Sequence, residues 1–158
     1  MRLVPLTGIF VALFAMVFSV PAAQAHCQIP CGIYDDGARF TLMLEHVTTI
    51  EKSMNHINKL GSEKTPDWNQ LVRWVDNKED HTGQLSEVVT FYFMAQRIKP
   101  PTEDAGAEAR AKYERELELL HRILVHTMKA RQTTDLEHVE ALRKLIGQFR
   151  SSYLGEQG

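Results

Sequence analysis

The chain has 158 residues, 44% of them hydrophobic and 24% charged, proportions that suit one small globular domain with a sizeable core. A formal net charge of −2 argues against nucleic-acid binding, which requires a strongly basic face. The expected partners are small molecules or proteins.

The first element in chain order reads as a targeting signal. Arg2 supplies a short positive region, residues 8–20 are almost wholly apolar, and Ala23-Gln24-Ala25 fits a small-residue cleavage site. The apolar run falls short of the roughly 20 residues that span a membrane. Cleavage between Ala25 and His26 is therefore expected, with export to the periplasm or the extracellular space and no membrane attachment afterwards. His26 then becomes the first residue of the mature chain.

Residues 26–37 lack sustained periodicity and carry Pro30, Gly32 and Gly37, which predicts an irregular hook ahead of a helical domain over 38–158. Phe40, Met43, Val47, Ile50, Met54 and Ile57 recur at spacings of three and four, the stripe of a helix ending near Gly61. Thr65 as cap and Pro66 in the first turn predict a second helix, with a stripe through Trp68, Leu71, Val75, Leu85, Val88, Tyr92 and Ala95. Pro100-Pro101 forbids its continuation.

A third helix carries Tyr113, Leu117, Leu120, Leu124 and Met128. The fourth opens on Thr134-Asp135-Leu136-Glu137, a capping-box pattern, and runs through Val139, Leu142, Ile146, Phe149 and Tyr153. Four amphipathic helices with short connections and no convincing strand predict an all-α, antiparallel up-and-down four-helix bundle.

The chemistry-bearing residues cluster in the hook. Cys27 and Cys31 are the chain's two cysteines, and taken alone their spacing in an exported protein would suggest a small disulfide loop. Their neighbours offer more. With His26 at a free terminus, its α-amine and the Cys27 backbone nitrogen close one chelate ring, and that nitrogen and the Cys27 sulfur close another. Cys31 can return a second thiolate to complete a plane of two nitrogens and two sulfurs, with the His26 imidazole approaching axially. Such a plane suits nickel(II) or copper(II), and thiolates tend to reduce copper(II), so nickel is favoured. Zinc would require a tetrahedron of side-chain ligands. Pro30 restricts the segment between the thiols, and Gly32 permits a turn directly after the second.

The run His26-Cys27-Gln28-Ile29-Pro30-Cys31-Gly32-Ile33-Tyr34 resembles the H-C-x-x-P-C-G-x-Y hook of nickel superoxide dismutases. The resemblance implies one nickel ion per subunit, with His26, Cys27 and Cys31 as metal-site residues, and a homohexamer of four-helix bundles. It also implies that Tyr34 guards the open face of the metal and positions water and the superoxide substrate. The implied activity converts two superoxide anions to oxygen and hydrogen peroxide by cycling between nickel(II) and nickel(III). Gln28 departs from the aspartate of some members, which removes any proton path through that carboxylate.

Other residues carry less specific signals. Arg39 could lend positive charge near the mouth, against its ordinary reading as a solvated arginine. Glu45 is the candidate for the acid that orients the ligating histidine, against an ordinary solvated helix glutamate. His81 falls in phase with Trp74, Leu85 and Val88 and so faces the bundle or a neighbouring subunit, either as a packed histidine or near a hook. The rival readings are an exported nickel carrier without turnover, and a di-iron bundle built on Glu118/His121 and Asp135/His138. Against the latter, Glu118 stands four before Arg122, as in a surface ion pair.

Overall fold

The computed structural model describes residues 35–155. The signal segment and the hook residues His26, Cys27, Gln28, Cys31 and Tyr34 lie outside the described residues. Among the described residues the architecture is all helical, with four helices and no strand.

Helix α1 spans Asp36–Gly61. It starts two residues before the expected boundary, because the Asp35 side chain caps it, accepting from the Gly37 N–H at 2.8 Å. Asp36 then lies in the first turn, where the helix dipole favours a carboxylate. The stripe Phe40, Met43, Val47, Ile50 and Met54 is buried as predicted, joined by His46 and Ser53.

Helix α2 spans Trp68–Glu87 and continues as a π-helical segment over Val88–Arg97. Its cap is Asp67 and not Thr65: the Asp67 carboxylate accepts from the Gln70 N–H at 3.1 Å. A charged carboxylate at this terminus outcompetes a hydroxyl two residues earlier. The predicted stripe also needs correction at its start and end. Trp68 is 67% exposed, Val75 and Ala95 also face outward, and the buried positions of α2 are Lys78, Thr82 and Leu85.

The face of α2 toward α1 is set by polar and aromatic pairs. Trp74 stacks on His56 with ring centroids 4.1 Å apart, and the Asn77 amide donates to Ser53 Oγ at 2.8 Å. The Lys78 ammonium donates to the carbonyls of Ala130, Arg131 and Thr133, so a buried cation closes the C-terminus of α3. In the π segment the Ile98 N–H reaches back five residues to the Phe93 carbonyl at 2.9 Å. The wider turn leaves the consecutive residues Tyr92 and Phe93 both buried.

Helix α3 spans Ala107–Gln132 and α4 spans Glu137–Leu154. The predicted α3 stripe is offset. Leu120 is buried, whereas Tyr113, Leu117 and Leu124 only flank the core and Met128 is 50% exposed. The inward row is Glu116, Leu119, Leu120, Ile123, Thr127 and Ala130, one of two ridges that the doublets Leu119-Leu120 and Ile123-Leu124 make available. For α4 the stripe Val139, Leu142, Ile146 and Phe149 is buried as predicted. Its capping box does not form, because the Asp135 carboxylate takes the Glu137 N–H at 3.0 Å. The helix ends on Gly155 at φ 71°, the left-handed conformation that glycine adopts without strain.

Helix α1 packs between α2 and α4, and α3 closes the ring against the same two, as in an up-and-down bundle. Phe40, Phe93, Phe149 and Tyr153 form an aromatic cluster with centroids 4.9 to 6.0 Å apart. That cluster firms the end of the bundle where α1 begins.

Candidate metal centre and its surroundings

The predicted metal-site residues precede Asp35 and lie outside the described residues. At the start of the described chain, Asp36 is held from two other helices. Its Oδ1 accepts a short hydrogen bond from the Tyr92 hydroxyl, and its Oδ2 accepts from the Tyr153 hydroxyl at 2.8 Å. Arg97 pairs with Oδ1 at 3.0 Å through Nε and donates from Nη2 to the Tyr92 oxygen at 2.9 Å. Burial alone would raise the Asp36 carboxyl, but the two tyrosine hydrogen bonds and the Arg97 charge outweigh it and hold the group below the usual carboxylate range. Burial, and then the anionic Asp36, push both tyrosine hydroxyls up, so they remain donors.

The guanidiniums of Arg39 and Arg97 lie over the Tyr92 ring at 5.0 and 4.9 Å from its centroid, a cation–π arrangement. Arg39, flagged from sequence as a charge near the mouth, thus belongs to the same end of the bundle as Asp36. Beside it, a cavity of about 350 Å³ is lined by Arg97, Lys99, Lys112, Tyr113, Glu116 and Tyr153 among others. Glu116 is buried there, 3.8 Å from Lys112 Nζ and 3.4 Å from Ser152 Oγ. Burial raises its carboxyl, more than Lys112 and Ser152 lower it.

His81 faces α1 as its phase predicted, and its partner there is His46: the two Nδ1 atoms are 2.9 Å apart. At that distance one ring donates and the other accepts, so the pair holds one proton between the two nitrogens. Burial first, and then the neighbouring His81, keep the His46 imidazole below its ordinary value, with Glu45 partly opposing. Glu45 is exposed, borders a shallow groove with Thr41, Leu44, Thr48 and Thr49, and is not part of the Asp36 cluster. Glu118 and His121 are both exposed, and Glu118 pairs with Arg122 at 3.5 Å, as expected of a surface ion pair.

Sequence reading did not single out the cluster of Asp36, Tyr92 and Arg97, the pairing of His46 with His81, or the buried Glu116. Only Asp36 had an available signal, its position two residues after Tyr34. The others depend on partners far away in the chain.

Among the described residues the four helices, with Asp36 clamped in the first turn of α1, define an all-helical bundle protein. A family model described as nickel-containing superoxide dismutase matches residues 21–157. The chain belongs to that family of oxidoreductases, whose cofactor is nickel. Comparison with curated proteins and with solved structures returned no match.

Proposed function

We propose that the chain is an exported precursor whose cleavage between Ala25 and His26 creates a nickel hook that disproportionates superoxide. The observation that carries this reading is the run His26 to Tyr34, which lies wholly within the family match over 21–157 while the apolar residues 8–20 lie before it. The donor set fits nickel: an α-amine and the backbone nitrogen of Cys27 provide two nitrogens, and Cys27 and Cys31 provide two thiolates. The His26 imidazole is a further donor. When bound, nickel supplies the one-electron couple by which one superoxide gives up an electron and a second, with two protons, takes it up as hydrogen peroxide.

The chain's own residues make that couple usable. Anionic thiolates and a deprotonated amide push electron density outward and favour the higher oxidation state of whatever they hold. Tyr34 positions water and the incoming anion. Arg39, close after the hook in sequence, adds positive charge that would help attract a small anion despite a net charge of −2. Asp36, clamped by Tyr92, Tyr153 and Arg97, fixes the point at which the chain enters the bundle. Assembly as a homohexamer belongs to the same reading.

N-terminal sequencing with metal analysis of the native protein tests it. The expected result is a chain beginning at His26 with one nickel ion per subunit. An intact terminus, or an oxidised Cys27–Cys31 pair without metal in protein prepared anaerobically, would overturn it. Aerobic handling must be avoided, because thiolates beside a source of peroxide oxidise to sulfinate.

A further inference from the structure

The other end of the bundle carries a second set of metal-ligand side chains. His138 sits in the first turn of α4, and Asp36 meets Tyr153 in the last turns of the same helix, so 15 residues of helix put the two places about 22 Å apart. One ligand atom each from Asp135, Glu137 and His138 lie within 4.8 Å of one another. The carboxylates are exposed, but His138 is only 6% exposed. Its Nδ1 is buried without a hydrogen-bond partner and points toward the cluster, 3.5 Å from Glu137 Oε1.

Across from it on α3, His126 Nδ1 is buried and equally without a hydrogen-bond partner, and the two rings stand at 65° with centroids 5.4 Å apart. Buried imidazole nitrogens are ordinarily satisfied, and leaving them bare costs stability. Edge-on ring packing accounts for the angle between the rings but not for the orphaned His138 nitrogen beside two carboxylates.

We infer that Asp135, Glu137 and His138 form a divalent-metal site of the zinc class at the start of α4. Imidazole nitrogen with carboxylate oxygen is a ligand set that zinc and neighbouring first-row divalent ions accept. A cation there would satisfy the buried nitrogen and neutralise two adjacent carboxylates, and the exposed carboxylates give it a path from solvent. The site owes nothing to the hook and stands or falls separately from the dismutase reading.

The test uses the full chain, free of any tag, with Cys27→Ser and Cys31→Ser removing the hook thiolates. Titration with zinc chloride is expected to show one ion per chain and a higher melting temperature. Asp135→Asn with Glu137→Gln, both at exposed positions, should weaken binding about tenfold or more without unfolding the protein. His138→Gln should do the same. Cobalt(II) at the site should give visible bands of a low-coordinate nitrogen and oxygen environment. The inference is overturned if the cysteine-free chain takes up no zinc. It is equally overturned if uptake survives the Asp135/Glu137 double change, or if uptake is abolished by His46→Asn.

Discussion

Tyr153, near the end of α4, donates its hydroxyl to Asp36 in the first turn of α1 at 2.8 Å, joining residues 117 positions apart. Asp36 stands two residues after Tyr34, so this bond ties the chain's entry into the bundle to the helix that ends it. Tyr153→Phe keeps the ring in its aromatic cluster and removes only the hydroxyl. Loss of a hydrogen bond to a charged group should lower stability by about 1–2 kcal/mol, measurable as a lower denaturation midpoint. Because Asp36 has a folded value below 3.8, its contribution is present above that pH and lost as pH falls through the folded value. The variant should therefore lose less stability than the parent on acidification below that point.

Lys78 serves a purely structural end. The residue is 5% exposed, and its ammonium donates to three carbonyls at and just past the end of α3. Lys78→Met preserves the stem but strands those carbonyls in a buried place, and should cost about 2–3 kcal/mol. Thermal or urea unfolding at neutral pH measures it. A change within experimental error would show that the carbonyls find other partners.

The His46–His81 pair predicts a pH dependence. His46 has a folded value lowered from 6.5, so the unfolded chain binds the proton more readily. Stability is then fully present above that pH and falls as the pH drops below it. Urea midpoints at pH 7.5 and 5.5 should differ for the parent, and the difference should shrink in His46→Asn, whose amide can still meet the His81 nitrogen.

Glu116 predicts the opposite sign. Its carboxyl is raised above 4.5 by burial, so the ionised form weighs against folding at neutral pH and the effect disappears on acidification below that value. Glu116→Gln should raise the unfolding midpoint at pH 7 and leave it unchanged near pH 4. A lower midpoint at pH 7 would mean that the Lys112 and Ser152 contacts outweigh burial.

Much of the bundle was legible because α1 and α4 bury one uninterrupted stripe each, from Phe40 to Met54 and from Val139 to Phe149. Helix α2 misled because its early apolar residues, Trp68 and Val75, face outward, while its inward face is built from Lys78 and Thr82. Lys78 is satisfied mainly by carbonyls at and just past the end of α3, and Thr82 by α2's own backbone, which no local period reveals. Helix α3 offers two adjacent apolar ridges, and periodicity alone does not choose between them. The capping errors at Thr65 and Thr134 share one cause, since in each case a nearby aspartate took the N–H. For the site the balance reverses. The proposed hook is a contiguous run of donors outside the described residues, whereas the Asp36 cluster and the His46–His81 pair arise from long-range contacts.

The central claim is that dismutation requires a free amine at His26. Its most direct test is superoxide consumption by three nickel-loaded forms: the chain beginning at His26, the same chain with one extra residue before it, and the chain with Cys27→Ser. The account predicts rapid consumption by the first and only the background of unbound nickel from the other two. Equal consumption by all three would contradict it.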